Sequence, residues 1–173
     1  MKKMLFVLIA LLPAAAFAQN SLQSFYDKYA GQEGFTTVKI APKMFELVAS
    51  ADSNDEDISI LKDITGVNVL VCENKDGKNT ARAAQLTKEA YASIGGGYEE
   101  LLSVKEDGTD LKILGKSAGK GIVSDLLIVG NDDGEFLFVN ISGNLDLKKL
   151  KDLDGKMDID GLDHLKDIDT EKK

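Results

Sequence analysis

The stretch from Thr109 to Ile141 decides the fold of this protein, and it has the sequence TDLKILGKSAGKGIVSDLLIVGNDDGEFLFVNI. Its apolar residues alternate with polar ones or run continuously, and segments rich in Gly or containing Asp-Gly separate the runs. Such runs predict β-strands, and such connections predict tight turns between antiparallel neighbours. With a similar run just upstream, the pattern predicts a four-strand antiparallel meander with strands at residues 99–105, 109–114, 121–129 and 135–141.

The chain before the meander mixes helical and strand patterns. Apolar residues at spacings of three and four predict helices, and short runs of β-branched or apolar residues predict strands. The predicted helices cover residues 21–30, 41–50 and 79–94, and the predicted strands cover residues 35–40 and 67–72. We therefore predict an α+β fold, a two-layer sandwich in which helices pack on one face of a mostly antiparallel sheet.

Residues 1–18 have the pattern of a secretory signal peptide. Two lysines precede a short apolar run, and a small-x-small sequence ends at Ala18. The apolar run is shorter than the roughly 20 residues that a membrane-spanning helix needs. We predict cleavage between Ala18 and Gln19, a periplasmic or secreted product, and no stable membrane anchor after cleavage.

The remaining chain is predicted to form a single α+β domain at residues 19–153. An acidic C-terminal tail follows at residues 154–173, with room for one short helix around residues 162–168. The whole chain of 173 residues has a formal net charge of −8, and the predicted leader removes two lysines and no acid. The mature protein is therefore expected to be strongly acidic.

The composition excludes several classes of function. The chain has one Cys and one His, so it cannot form an internal disulfide or a zinc site of the usual Cys and His type. Its acidity opposes nucleic-acid binding, which depends on Lys and Arg neutralising phosphates. We expect no metal, no cofactor and no nucleic-acid partner.

The chain carries no complete catalytic motif. Gly115-Lys116-Ser117 has the last letters of a phosphate-binding loop, but Asp110 stands where that loop requires its first Gly. A catalytic pair of Cys72 and His164 would need the tertiary fold to bring together residues far apart in the chain. These observations favour a protein that is not an enzyme.

Three polar residues interrupt strands that are otherwise apolar. Ser124 and Asp125 lie inside one predicted strand, and Asn140 lies near the end of the next. Buried polar groups need hydrogen-bond partners, so these residues predict either a structural hydrogen-bond network or a ligand-binding patch on the sheet face. We take Ser124, Asp125 and Asn140 as the candidate ligand-binding residues.

Several segments resemble a family of bacterial cell-envelope proteins catalogued as domain of unknown function 4252. The resemblance rests on the segments Phe25–Tyr29, Glu33–Ile40, Met44–Leu47 and Phe138–Leu147. Many members of that family are similar to lipoproteins, whereas this chain lacks the lipid-bearing Cys. The resemblance implies a small envelope protein with a link to envelope-stress signalling.

The expected function is therefore that of an exported, non-enzymatic envelope protein that binds a protein partner or contributes to envelope-stress sensing. One alternative is a small-ligand binder or hydrolase that uses the polar residues of the sheet. Another is a periplasmic chaperone or assembly factor, which requires an exposed apolar patch. The aromatic residues considered for that patch are Phe25, Tyr26, Tyr29 and Phe35.

Overall fold

The computed structural model of the protein describes residues 21–51, 61–74, 77, 79–119 and 121–146. The helices in this part of the chain are α1 Ser21–Tyr29, α2 Pro42–Ala51 and α3 Thr80–Ala92. The strands are β1 Thr36–Ile40, β2 Ile64–Cys72, β3 Tyr98–Glu106, β4 Thr109–Gly119, β5 Ile122–Asp132 and β6 Glu135–Asp146. These elements confirm an α+β fold dominated by its sheet.

The six strands form one sheet in the order β1-β2-β6-β5-β4-β3, and every neighbouring pair is antiparallel. Strands β3 to β6 follow one another along the chain, which confirms the predicted meander. The last strand of the meander then pairs with β2, which comes from the N-terminal half. As a result, β1 and β3 form the two edges of the sheet.

The connection between β5 and β6 explains why the hairpin forms where it does. Asp133 and Gly134 both have positive φ angles, 45° and 82°, which is the requirement of a type I′ turn. The Asn74 side-chain amide donates a hydrogen bond of 2.9 Å to the carbonyl of Asp133. The turn is therefore fixed by its own residues and by a contact from the end of β2.

One apolar cluster joins α1 and α3 to the sheet. Phe25 of α1 lies 5.5 Å from the ring of Phe138 and 5.9 Å from that of Phe136, measured between ring centroids. The cluster contains Leu22, Phe25 and Tyr26 of α1, Ala83, Leu86 and Ala90 of α3, and the strand residues Leu70, Cys72, Leu114, Leu127, Val129, Phe136 and Phe138. Phe25 and Tyr26 are core residues and do not form an exposed aromatic patch.

A second apolar cluster occupies the opposite face of the sheet. Successive side chains of a strand point to opposite faces, so Leu126 and Ile128 of β5 face away from Leu127 and Val129. The buried members of this second cluster are Leu111, Ile113, Val123, Leu126, Ile128 and Leu145. Strand β5 is therefore buried on both faces, as its continuous apolar run predicts.

Some predictions concern parts of the chain outside the described residues. These are the signal peptide at residues 1–18 with its cleavage point, and the acidic tail at residues 154–173. Within the described residues, no helix is both long enough and apolar enough to span a membrane.

Candidate functional site

The sheet brings polar residues together at one end of the face that carries α1. Asn140 of β6 pairs across the sheet with Asn68 of β2, and Ser142 pairs with Asp125 of β5. Residues 138, 140 and 142 of β6 are two apart and therefore point to the same face of the sheet. The polar residues at 140 and 142 thus lie in line with the buried Phe138. Two of the three predicted site residues, Asp125 and Asn140, therefore lie in one cluster.

Ser142 connects the two predicted residues. Its hydroxyl donates a hydrogen bond of 2.7 Å to Oδ1 of Asp125, and it lies 3.4 Å from Oδ1 of Asn140. A serine hydroxyl has a single proton. Because the shorter contact to the carboxylate uses that proton, the Ser142 oxygen retains only its lone pairs for other partners.

The amide nitrogen Nδ2 of Asn140 is buried and has no hydrogen-bond partner within the described part of the chain. Turning the amide over would place its nitrogen 3.4 Å from the Ser142 oxygen and leave its oxygen in the unpaired position. Buried polar atoms are nearly always paired, and an unpaired one costs about 1–3 kcal/mol. The Asn140 amide therefore keeps one buried polar atom unpaired, at a cost in stability.

A cavity of about 60 Å³ lies at this cluster, between α1 and the sheet. Asn68, Asn140 and Ser142 line it from the sheet, and Gln23 lines it from α1. Its remaining walls are largely aromatic and consist of Leu22, Tyr26, Tyr98 and Phe138. Although aromatic residues stand around the cavity, the surface that it presents is mainly polar.

Tyr98, the first residue of β3, pairs with Lys116 of β4, which in turn pairs with Asp125 of β5. Tyr98 therefore lies at the end of this row of residues across the sheet. Burial raises the pKa of Tyr98 to about 12, and the negative charge of Asp125 adds to the shift. The phenol therefore stays neutral at physiological pH and can donate or accept a hydrogen bond at the cavity wall.

Ser124 does not belong to this cluster. A β-bulge between Val123 and Asp125 shifts the register of β5 against β6. The Ser124 hydroxyl donates instead to the backbone carbonyl of Lys116 on β4, at 3.3 Å. Alternation along the strand already separates the two residues, because it groups Asp125 with Leu127 and Ser124 with Leu126 on the opposite face.

The structure also shows an exposed apolar stripe on helix α2 that could not be recognised from the sequence pattern. Helix α2 buries Phe45 and Ala49, yet Met44, Leu47 and Val48 are 55%, 56% and 37% exposed. Spacings of three and four place the exposed residues in one stripe along the helix. In the sequence all five contribute to one apolar pattern, and only the packing separates a buried stripe from an exposed one.

Within the described residues, no group of three or more His, Cys, Asp and Glu side chains is arranged to hold a metal ion. Cys72 is a buried free cysteine of the first cluster.

A family model described as Domain of unknown function (DUF4252) matches residues 26–153 of this chain. The match confirms the family resemblance noted in the sequence. Searches of curated proteins and of solved structures gave no match.

Proposed function

Since the chain belongs to the DUF4252 family, whose description states no activity, we propose its function from its surface. The protein is an exported, non-enzymatic envelope protein that binds a protein partner through helix α2. The observation that carries this proposal is the exposed apolar stripe formed by Met44, Leu47 and Val48.

The composition of α2 supports a docking role. A surface helix of a soluble protein normally has one apolar face, which it buries, and a polar face toward water. At 100° per residue, Met44 and Leu47 lie about 100° or more around the helix from the buried Phe45 and Ala49, while Val48 lies about 60° from Phe45. Lys43 and Glu46 form an ion pair of 2.6 Å on a third, polar side. Burying the stripe against a partner would remove apolar surface from water, which favours association.

The position of α2 in the chain adds a second binding element. The helix directly follows β1, which is an edge strand of the sheet. Val38 of β1 is also exposed, and edge strands can accept an added strand from a partner. The Tyr26 hydroxyl donates to the Val38 carbonyl at 3.1 Å and so fixes β1 against α1. We infer that β1 and α2 together form the docking surface.

We further propose that α1 and α3 cover the same face of the sheet, as in a two-layer sandwich. The support is the single cluster that their buried residues share with the sheet. This arrangement would leave α2 and the β1 edge at one side of the domain, accessible to a partner.

The compartment follows from the sequence of residues 1–18. The two lysines, the short apolar run and the site ending at Ala18 support export and cleavage before Gln19. Mass spectrometry of the protein purified from the bacterial envelope fraction would test this. A product that begins at Met1, or one found only in the cytoplasm, would contradict it.

The docking proposal is tested by crosslinking in living cells. A photoreactive amino acid at Leu47 is expected to capture a defined envelope protein, whereas the same group at Lys105, on the opposite sheet edge β3, should not. The captured protein is then purified and titrated against the mature chain. Leu47→Asp should weaken this binary complex at least tenfold, because it buries a charge at an apolar contact.

Ser50→Asp is the matched control, since Ser50 is an exposed residue of the same helix outside the stripe. It should bind as the wild type does. Equal crosslinking from Leu47 and Lys105, or equal affinity of the Leu47→Asp and wild-type chains, would refute α2 as the docking element.

A further inference from the structure

We propose that the partner at the docking surface is a second copy of this chain, joined through antiparallel pairing of the two β1 strands. This inference rests on the docking surface proposed above and names its occupant. The two copies would form one continuous sheet, with their α2 helices beside each other.

The first observation is the direction of the peptide groups of β1. Residues of an antiparallel strand point their N–H and C=O groups alternately to one side and to the other. The carbonyl oxygen of Ile40 lies 3.8 Å from a Cβ atom built on Gly66 of β2, so the peptide groups of Ile40 face β2. Thr37 and Lys39 therefore point theirs to the opposite side, where the described part of the chain has no strand.

These two residues pair with each other when two copies meet about a two-fold axis at Val38. Thr37 of one copy then lies opposite Lys39 of the other, and the two residues can exchange N–H···O=C hydrogen bonds. Lys39 is the only charged residue of β1, and in this register it faces a neutral threonine. The strand is therefore complementary to itself, as a two-fold interface requires.

Val38 lies on the proposed axis and is 44% exposed. It ends an apolar row that crosses the sheet through Val69, Val139, Ile128 and Ile113. In the dimer the two Val38 side chains would be in contact, because residues of a non-hydrogen-bonded pair have Cα atoms about 4.5 Å apart. The apolar row would then continue into the second copy, and Val38 would be removed from water.

The same two-fold axis brings the α2 helices together. Only Ala41 separates α2 from β1, and the helix packs against β2, next to the sheet edge. The two-fold axis of an antiparallel strand pair is perpendicular to the sheet, so both α2 helices would lie on the same face. Their exposed stripes of Met44, Leu47 and Val48 could then pack against each other, and one interface would cover both exposed apolar features.

The opposite sheet edge, β3, lacks this self-complementarity. Its nine residues include four charged ones, and a β-bulge lies between Glu100 and Leu102. Charges and bulges are features by which proteins prevent pairing at a sheet edge. Strand β1 pairs with β2 without a bulge and carries one charge, so it is the edge suited to a second copy.

The oligomeric state of the mature chain tests the proposal. Sedimentation equilibrium in about 0.3 M salt, which screens the repulsion between acidic copies, is expected to show reversible dimerisation. Val38→Lys should weaken the dimer about tenfold or more, because it places two like charges at the axis. Ser103→Lys adds the same charge at an exposed position of β3 and should leave the equilibrium unchanged.

Disulfide trapping tests the register of the strands. Val38→Cys places two thiols at the axis, where a Cα separation of about 4.5 Å suits a disulfide. Thr36→Cys is the matched control: it is exposed on the same face of β1, but its two copies would lie about 14 Å apart. With oxidised glutathione, Val38→Cys should form a covalent dimer about ten times faster or more. The native Cys72 is 1% exposed and stays out of reach.

Failure of this proposal and failure of the docking surface give different results. A monomeric chain whose Leu47 photocrosslinks to a different envelope protein would overturn the second copy as the occupant and retain the docking surface. A monomeric chain whose Leu47 captures nothing would contradict both. A dimer that Val38→Lys leaves intact, or equal disulfide formation at positions 36 and 38, would overturn pairing through β1.

Discussion

A buried hydrogen bond between Thr87 of α3 and Asn131 of β5 connects the helix to the sheet at a distance of 2.9 Å. Both residues are buried, and the Asn131 amide also donates to the Gly108 carbonyl at 3.1 Å. Asn131 thereby links three parts of the chain: α3, β5 and the turn between β3 and β4. Single polar residues in this protein thus position whole elements.

Thr87→Val is expected to lower the free energy of unfolding by about 1–3 kcal/mol, because the isosteric change leaves the Asn131 oxygen buried without a donor. Urea unfolding measures the effect. Thr80→Val, at the exposed start of the same helix, should change stability by less than about 0.5 kcal/mol. Equal stability of the Thr87→Val and wild-type proteins would show that Thr87 bonds only within its helix.

Glu89 makes stability depend on pH at the contact between α1 and α3. It pairs with Lys28 and accepts a hydrogen bond of 2.6 Å from the Tyr29 hydroxyl. The Lys28 contact, followed by the Tyr29 contact, lowers the pKa of Glu89 below its ordinary value of 4.5. A lowered folded-state pKa contributes stability that is present above pH 4.5 and is lost as the pH falls through the folded-state value.

Glu89→Gln should therefore flatten the pH dependence of stability in that acidic range while leaving the rest of the curve in place. Thermal melts of both proteins between neutral and acidic pH provide the measurement. Parallel curves for the two proteins would mean that Glu89 carries no part of the acid sensitivity.

At the residue scale, the sequence predicted the candidate site only in part. Asp125 and Asn140 stood out because each interrupts an apolar run, and the structure joins them through Ser142. Asn68 could not be identified, because it meets Asn140 only through the pairing of strands distant in the chain. Ser124 was included because it interrupts the same apolar run as Asp125, although neighbouring residues of a strand point to opposite faces.

At the scale of elements, β4 and β5 approach closely at Gly130. A Cβ atom built on this residue would lie 2.1 Å from the carbonyl oxygen of Asp110 and 2.6 Å from the Cα of Leu111. Both are backbone atoms, so the strands themselves would have to move. The glycine is therefore required by the pairing of two strands and not by a turn.

Gly130→Ala is expected to destabilise the protein by about 1–3 kcal/mol, the usual range for overpacking. Gly95→Ala is the control, since a Cβ at that position has no atom within 4 Å. Thermal unfolding of both variants separates the close approach from the general effect of a Gly→Ala change. A Gly130→Ala protein as stable as its control would show that the two strands adjust without cost.

The predicted elements agree with the structure in type and order over the described residues, and they differ mainly in length. The predicted strand at 109–114 continues to Gly119, and that at 135–141 continues to Asp146. The added residues are rich in Gly, Ser, Asn and Asp, which have low strand propensity. Pairing with neighbouring strands holds them in the sheet, and local propensity contains no information about that pairing.

At the scale of the whole molecule, the only Cys of the chain reports on global unfolding. Cys72 is 1% exposed and lies on β2, which is paired on both sides with β1 and β6. A thiol in this position reacts only when the sheet opens. The more free energy the domain needs to open, the more slowly this thiol should be labelled.

Labelling with a chromogenic disulfide reagent is expected to be slow in native buffer and complete in denaturant. A chain with Ser103→Cys and Cys72→Ala is the reference for an accessible thiol, because Ser103 is exposed on β3. It should react at once. Rapid labelling of native Cys72 would show that the apolar cluster around it opens locally while the rest of the domain stays folded.

The sequence by itself determined the α+β class, the helices and strands, the meander from β3 to β6 and the family resemblance. These features depend on residues close together in the chain, where period and turn chemistry act locally. Only the tertiary structure decided that β2 lies between β1 and β6, so that Asn68 meets Asn140 at a cavity under α1. It also decided which stripe of α2 is buried. Both depend on contacts between distant segments, whose register is set by the burial of a whole sheet face and not by any local pattern.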